Sequence, residues 1–218
     1  MRRTLVNEVD ARILPALKFW FVAENHKNKF SDGASASYAM DSSVNGNNLG
    51  SAGAAPTFRL NDCNGHASFY FNGAVNLSGL NIFTANIRGG FVVVKHNVAG
   101  NWEATYPGFI SDTGSSTARI IGNAGTQDIH NNGGVDTVYV NGVQTVSVAN
   151  TDAWNLIYVE FGVAGTFNGT ILGRYGGTAG YLNGRIAEAG LFGAIPSAQT
   201  RTLFFESMMN KYALTGNV

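Results

Sequence analysis

The sequence predicts an all-β fold, a two-sheet antiparallel β-sandwich with a C-terminal α-helix. Short apolar and β-branched segments recur along the chain with Gly, Asn and Ser between them, a spacing typical of sandwiches and barrels. Helical patterns are missing between these segments, which excludes a parallel α/β sheet. An amphipathic pattern with its own capping residue follows the last strand and predicts the helix.

Length and composition favour one domain. The chain has 218 residues, of which 44% are hydrophobic, and single sandwiches commonly reach about 200–250 residues. Its 28 glycines and 4 prolines show no triplet repeat and are interpreted as turn residues. We predict the sandwich over residues 16–218, after a segment of residues 1–15 that is rich in charge and has no glycine.

The charge pattern excludes several classes of partner. The 14 basic residues balance 14 acidic ones, and no cluster of Lys and Arg is present for nucleic acid or an anionic membrane. No window approaches the roughly 20 apolar residues of a membrane span, and no apolar signal-peptide core follows Met1-Arg2-Arg3. Only 13% of the residues are charged, which favours stable association with other subunits or with a second copy of the chain.

The first fifteen residues predict an arm or short amphipathic helix. Leu5, Val9 and Ile13 recur at a spacing of four, and Pro15 follows as a stop. Two interpretations stay open. The segment packs on its own domain, as terminal segments commonly do, or it docks on a neighbouring subunit.

The strand predictions begin with the continuous apolar segment Leu17 to Val22, which is long enough to be buried on both faces. Asn141-Gly142 lies between two β-branched segments and predicts a two-residue hairpin. Asn183-Gly184 is interpreted as a turn before the last strand. Further strands are predicted at Phe69–Phe71, Phe91–Lys95, Phe109–Ser111, Arg119–Gly122, Val135–Val140, Gln144–Val148, Leu156–Gly162, Gly169–Arg174 and Arg185–Phe192.

The chain closes with a helix predicted at about residues 197–212. Ser197 is positioned to cap its first turn. One side carries Leu203, Phe204, Met208 and Tyr212 at helical spacing. Such a side has to be covered, so we predict that the helix seals one side of the sandwich, with Glu188 of the last strand near the seam.

Five segments, taken in their order along the chain, resemble sequence patterns of the concanavalin A-like lectin/glucanase jelly roll, in its laminin-G-like branch. The segment Leu17–Glu24 is similar to the opening Leu-x-x-Trp strand of the family. The segment Asp41–Asn48 is similar to its Asp-x-Ser-Gly-Asn-Gly-Asn loop. Phe69 to Gly73 resembles the Val-x-Phe-Asp-Gly strand, and Val138 to Val143 the Tyr-Val-Asn-Gly hairpin. Tyr181 to Leu214 resembles the closing Asn-Gly-x-Ile-Ala-Glu pattern and its helix ending in Lys-Tyr.

The resemblance has departures and limits. Val22 and Ala23 stand where an acidic residue often follows the opening strand, and Val44 replaces the first Gly of the loop. The resemblance implies two packed antiparallel sheets in a branch that is common in bacterial surface and phage virion proteins. The fold hosts lectins, glycoside hydrolases and structural modules, so function has to be argued from a site.

Catalytic and metal patterns are weak. Glycoside hydrolysis needs two carboxyl groups, yet the Glu-x-Asp-x-x-Glu strand of the glucanase branch has no counterpart, and Glu160 and Glu188 stand singly in strands. The histidines follow no metal-binding spacing, and the lone Cys63 is predicted to be an inert thiol. These histidines, predicted to be hydrogen-bonded or on the surface, are His26, His66, His96 and His130. We therefore expect no enzymatic activity.

One loop is a candidate for calcium. Asp41 carries its only carboxylate, and Asn45, Asn47 and Asn48 would add amide oxygens. A compact turn bonded to itself is the favoured interpretation, because Asp, Asn and Ser side chains commonly bond to nearby backbone. We expect no resident metal or cofactor.

Carbohydrate binding has better candidates, because it uses an exposed aromatic ring with polar partners around it. Trp102 and Tyr106 lie in a polar segment, with Asn101 and Asp112 near them in sequence. Two further rings between glycines come second, Tyr175 and Tyr181. The alternative is that these rings cover the edge of a sheet.

Two function hypotheses follow. In the first, suggested by the resemblance, the protein is a non-enzymatic structural or binding component of a phage particle, in the capsid decoration or the tail. It would be made in the host cytoplasm, located in the virion, bound to other virion subunits and in contact with host-surface glycans. In the second, it is a free carbohydrate-binding lectin. A glycoside hydrolase whose distant carboxylates meet in space is the third and weakest alternative.

Overall fold

Two antiparallel sheets form a sandwich with one C-terminal α-helix among the described residues, as predicted, and a short 3-10 helix spans Ala23–His26. The structure is a computed structural model that describes residues 13–51, 53–79, 83–103, 105–113, 119–130, 135–167, 169–176 and 180–214. In chain order the strands are β1 (Leu17–Val22), β2 (Tyr38–Ala39), β3 (Leu49–Gly50), β4 (Thr57–Cys63), β5 (His66–Asn72), β6 (Leu77–Gly79), β7 (Phe83–His96), β8 (Gly108–Asp112), β9 (Ile120–Ile121), β10 (Val135–Val140), β11 (Val143–Gln144), β12 (Asn155–Phe167), β13 (Thr170–Leu172), β14 (Arg174–Tyr175), β15 (Gly180–Tyr181) and β16 (Asn183–Phe192). The helix α1 spans Ala198–Lys211.

The sheets differ in size. The larger has the order β11-β10-β12-β7-β16-β5-β4, with β1 also paired to β16. The smaller has the order β2-β3-β6-β13-β8-β9, and β14 and β15 form a separate pair. All described pairings in these sheets are antiparallel. The strand β9 pairs with β8 and is the last strand of the smaller sheet, so it lies at one of its edges.

The central strands of the larger sheet are buried on both faces. In β7, Val92 and Val94 belong to the core between the sheets, whereas Phe91 and Val93 belong to a second cluster. Successive strand residues point to opposite faces. A strand covered on both faces therefore reads as a continuous apolar segment.

Helix α1 covers that second cluster. Ser197 Oγ accepts a hydrogen bond of 3.1 Å from the Thr200 backbone N–H, which confirms the predicted cap. Phe204, Met208 and Tyr212 are buried against the sheet as predicted. The predicted burial of Leu203 is wrong, because Leu203 is 42% exposed and Phe205 is buried in its place. The reason is angular, since consecutive helix residues differ by about 100° and Leu203 lies outside the stripe that the other three define.

Two Asn-Gly pairs have different outcomes. Asn141 and Gly142 have φ angles of 50° and 81°, as a type I′ hairpin turn needs, and Val140 pairs with Val143. Asn183 and Gly184 form no turn but belong to β16. A Cβ atom on Gly184 would overlap the backbone oxygen of Lys95, so this glycine permits close strand approach. The strand predicted over Gln144–Val148 is also shorter, because β11 ends at Gln144.

Most of the predicted N-terminal arm, Leu5 and Val9 included, lies outside the described residues. Its last residues pack on the domain itself: Leu14 is buried and Ile13 is partly buried, both against the cluster under α1. Cys63 lies in the same cluster, and burial raises the pKa of its thiol well above the usual range. None of the helical segments among the described residues has the length and apolarity that a membrane crossing demands.

His26 gives the fold a predicted sensitivity to acid. It is wholly buried, its Nε2 accepts a 2.9 Å hydrogen bond from the Met40 N–H, and its Nδ1 lies 3.1 Å from the Val22 carbonyl. Burial lowers the pKa of His26. The unfolded chain therefore takes up this proton near pH 6.5 while the folded chain does not, and stability falls as pH decreases through that value.

The test is urea unfolding of the wild type and of His26→Gln at pH 7 and pH 5.5. The free energy of unfolding should fall more steeply in the wild type, by up to about 1 kcal/mol over this range. Equal pH dependence in the two proteins would contradict a neutral, buried His26.

Candidate functional site

A cavity of about 150 Å³ lies beside the edge strand β9 of the smaller sheet. Its lining residues are Tyr106, Arg119, Ile121, His130 and Tyr175. Three of these are aromatic or imidazole rings with a polar atom, one is a cation and one is aliphatic. Such a mixture of flat apolar faces and a few polar groups is typical of small-ligand sites.

Different elements bring these side chains together. Ile121 is on β9 and Tyr175 on β14, whereas Tyr106 lies in the connection between β7 and β8. His130 is held to β9 by a hydrogen bond of 3.0 Å from its backbone N–H to the Ile121 carbonyl. The site thus joins residues that are up to 69 positions apart in sequence.

Two glycines permit these backbones to approach. A Cβ atom on Gly108 of β8 would overlap the carbonyl carbon of Arg174 and the amide nitrogen of Tyr175. A Cβ atom on Gly180 of β15 would overlap the backbone oxygen of Tyr106. The positions of Tyr106 and Tyr175 therefore depend on a neighbouring glycine, because any larger residue there would push their backbone away.

Arg119 is the central polar group of the cavity. Its guanidinium lies over the Tyr175 ring, 4.6 Å from the ring centre, and Nη1 donates to the Tyr175 hydroxyl. Nη2 is 3.5 Å from Nε2 of His130. The His130 ring in turn meets the Tyr106 ring edge-on, with the ring centres 4.8 Å apart. These contacts connect the four polar lining residues in a continuous series, from Tyr175 through Arg119 and His130 to Tyr106.

The electrostatics of the cavity follow from Arg119. Burial, and then the positive charge of Arg119, lower the pKa of His130, so that its imidazole is neutral at neutral pH. Tyr106 is 39% exposed and His130 8% exposed, which places the tyrosine at the mouth and the histidine deeper. The described lining side chains therefore carry one positive charge.

The structure places the two leading residues of the predicted aromatic platform differently. Trp102 is not on the surface but 2% exposed, and its ring packs 5.0 Å from the Phe109 ring centre. The physical reason is Gly122, whose missing side chain leaves room for the indole, since a Cβ atom there would be 2.7 Å from Trp102 Cγ. Trp102 is therefore a core residue, although Tyr106 and Tyr175 from the same prediction do line the cavity.

The other predicted sugar-binding residues lie outside the cavity lining. Asn101 is exposed, and Asp112 is 2% exposed in β8, where its Oδ1 accepts a hydrogen bond of 3.2 Å from the Gly169 N–H. Tyr181 lies on β15 with the Arg174 guanidinium over its ring. Arg119 and His130 carry no recognisable signal of a site in the sequence, because nothing in their spacing indicates that β9 and the segment after it bring them together.

The loop around Asp41 is a self-bonded turn, as predicted. The Asp41 carboxylate accepts hydrogen bonds from the backbone N–H groups of Trp20, Ser43 and Asn47 and from the Ser43 hydroxyl, at 2.7–2.9 Å. Asn45 donates to the carbonyls of β1. A cation would have to displace these donors. The part of the chain that the structure describes contains no group of three His, Cys, Asp or Glu side chains suited to a metal ion.

Glu160 and Glu188, the carboxylates that a hydrolase would need, both bind helix α1. Arg201 Nη1 donates to Glu160 at 2.7 Å, and Lys211 Nζ donates to Glu188 at 2.6 Å. Neither lines the cavity.

Comparison with known proteins adds little. No protein-family model and no curated protein matches the sequence. One solved structure is similar, that of domain 4 of AbnA, a GH43 extracellular arabinanase from Geobacillus stearothermophilus, in complex with arabinotriose. The similarity covers 87% of this chain and 98% of that chain at 15% identity, with a TM-score of 0.49.

Proposed function

We propose that the protein is a non-catalytic carbohydrate-binding protein whose ligand occupies the cavity between Tyr106 and Tyr175. The observation that carries this proposal is the convergence of two tyrosines, a histidine and an arginine on one open cavity. Its volume of about 150 Å³ equals that of an engineered apolar cavity that accommodates benzene, so one six-membered ring fits it.

The chemistry of the lining suits a sugar. A sugar ring has apolar C–H faces and a rim of hydroxyl groups, and it needs flat apolar surfaces together with donors and acceptors. Tyr106 and Tyr175 supply ring surface and hydroxyl groups. Arg119 donates only, whereas a tyrosine hydroxyl can both donate and accept. Each kind of sugar atom thus has a complementary partner.

Binding without hydrolysis is supported by the placement of carboxylates. Both glycosidase mechanisms need two carboxyl groups at the scissile bond. Among the described residues that line the cavity there is no carboxylate. We therefore expect bound oligosaccharides to stay intact, with no release of reducing ends on prolonged incubation.

A glycan array followed by calorimetric titration of the best ligand tests the proposal. Tyr106→Ala should weaken binding at least about tenfold, because aromatic residues in binding sites commonly contribute more than 1 kcal/mol. Tyr106 is partly exposed, so its loss should leave the melting temperature nearly unchanged.

Tyr70→Ala is the matched control. Tyr70 is a half-buried tyrosine of β5 with the Arg185 guanidinium 5.3 Å from its ring centre, as Tyr175 has Arg119. It does not line the cavity, so binding should not change. The absence of any glycan ligand, or wild-type affinity in Tyr106→Ala, would contradict the proposed function.

The virion hypothesis is compatible with this function, since a component of a phage particle would present the cavity to host-surface glycans. Its docking surface was predicted at Leu5, Val9 and Ile13, of which only Ile13 is described, and Ile13 packs on its own domain. Location in a virion and assembly with other subunits stay predictions from the resemblance.

A further inference from the structure

Arg119 differs from Arg185 and Arg201 in its electrostatic partners. Arg185 lies 3.0 Å from a carboxylate oxygen of Asp62, and Arg201 lies 2.7 Å from one of Glu160. Among the described residues, Arg119 contacts the Tyr175 ring and hydroxyl and the His130 imidazole, and it forms no ion pair with a carboxylate. Its Nε is buried and has no hydrogen-bond partner among the described residues. The cavity wall therefore carries a positive charge without a counterion among the side chains that the structure describes.

The fully undescribed stretches that adjoin the lining residues in sequence contain no carboxylate. Three short stretches adjoin the lining residues in sequence without being described: residues 114–118 are Gly-Ser-Ser-Thr-Ala, residues 131–134 are Asn-Asn-Gly-Gly and residues 177–179 are Gly-Thr-Ala. None of them contains Asp or Glu. Burial, and then the Arg119 charge, lower the pKa of the neighbouring His130.

We infer that the sugar bound in this cavity carries a carboxylate, as uronic and sialic acids do, and that Arg119 binds this group. The inference rests on the proposed function and names the class of its ligand. A guanidinium is planar and presents its N–H groups as a fork that matches a carboxylate. Hydrogen bonds between charged groups are also stronger than those to hydroxyl groups. A neutral sugar would leave the Arg119 charge in the bound cavity without a partner.

The competing ligand is a neutral sugar held by the rings alone. In that case Arg119 would serve only to position Tyr175, through the ring contact and the Nη1 hydrogen bond. The two alternatives differ in one measurable property, the dependence of affinity on the ligand carboxylate. A substitution of Arg119 separates them further, because it should abolish discrimination between acidic and neutral ligands only if the guanidinium contacts the acid.

The experiment uses pairs of ligands that differ in the carboxylate alone. Oligogalacturonate, oligoglucuronate and sialyllactose are each compared with their carboxyl-reduced forms, with a sulfated oligosaccharide as a fourth probe. Affinities are measured by calorimetry for the wild type, Arg119→Gln and the control Arg59→Gln. Arg59 lies on β4 of the larger sheet, away from the cavity lining.

The wild type should bind at least one acidic ligand about tenfold or more tightly than its reduced form. In Arg119→Gln this preference should fall to about twofold or less, while Arg59→Gln keeps it. Thermal melting of Arg119→Gln identifies any loss of fold, and Arg119→Lys, which keeps the charge, should retain part of the preference.

Different failures are distinguishable. Equal binding of acidic and reduced forms, a preference that survives in Arg119→Gln, or exclusive binding of the sulfated probe would overturn the inference and leave sugar binding intact. If neither these ligands nor any glycan of the array binds, the proposed function is wrong and the inference falls with it.

Discussion

Glu188→Ala is expected to lower the free energy of unfolding by about 3 kcal/mol, because two buried hydrogen-bond donors, Trp20 Nε1 and Tyr212 Oη, and the partly exposed Lys211 ammonium all lose their acceptor. The Glu188 side chain is fully buried between β16 and α1. Its Oε1 accepts a hydrogen bond of 2.6 Å from Trp20 Nε1, and its Oε2 accepts hydrogen bonds of 2.6 Å from Lys211 Nζ and Tyr212 Oη. Removal of the carboxylate takes the acceptor from these three donors. It also leaves the Lys211 ammonium beside the space that the carboxylate filled.

Urea unfolding at neutral pH measures this effect. Glu188→Gln keeps the shape of the side chain but removes its charge, so its loss should be smaller than that of the alanine variant. Glu206→Ala is the control, because Glu206 is exposed on the same helix, and its effect should stay within about 0.5 kcal/mol. A loss below about 1 kcal/mol in Glu188→Ala would mean that the carboxylate does not hold α1 on the sheet.

Gly108→Ala should disrupt both stability and binding. The added Cβ would overlap the backbone where Arg174 joins Tyr175, and a backbone atom cannot rotate away as the end of a side chain can. β14 would therefore have to move. Overpacking of this kind commonly costs about 1–3 kcal/mol. Because Tyr175 moves with β14, affinity for the sugar should fall by more than about tenfold.

Thermal melting and calorimetric titration of Gly108→Ala measure the two effects together. Gly53→Ala is a suitable control, since a Cβ atom there has open space and its φ angle is not positive. It should melt and bind like the wild type. Unchanged binding in Gly108→Ala would show that the position of Tyr175 does not matter to the ligand.

Local patterns in the sequence predict much of the fold. The continuous apolar segment at Phe91–Lys95 predicts a strand with two buried faces, and Asn141-Gly142 predicts a hairpin, because both depend on neighbouring residues only. Ser197 marks the start of α1 for the same reason. Asn183-Gly184 shows the limit of such patterns. The same dipeptide lies within a strand there, where β7 approaches Gly184 too closely for a side chain.

The site depends on contacts that are distant in sequence, which explains the mixed outcome of its prediction. Trp102 has a polar sequence context, but its burial is determined by Gly122 and Phe109 on other segments. Arg119 and His130 meet only because the backbone of His130 bonds to β9. Tyr106 and Tyr175 could be proposed from their polar surroundings, although their pairing could not.

The most direct test of the central claim is to locate the bound sugar by amide chemical-shift mapping. Titration of the ¹⁵N-labelled protein with its best glycan ligand should shift the amide signals of the five lining residues and of their neighbours on β9 and β14. The Asp41 loop and helix α1 should not respond. Saturable shifts confined to another surface, or no shifts at all, would contradict the assignment of the cavity as the sugar-binding site.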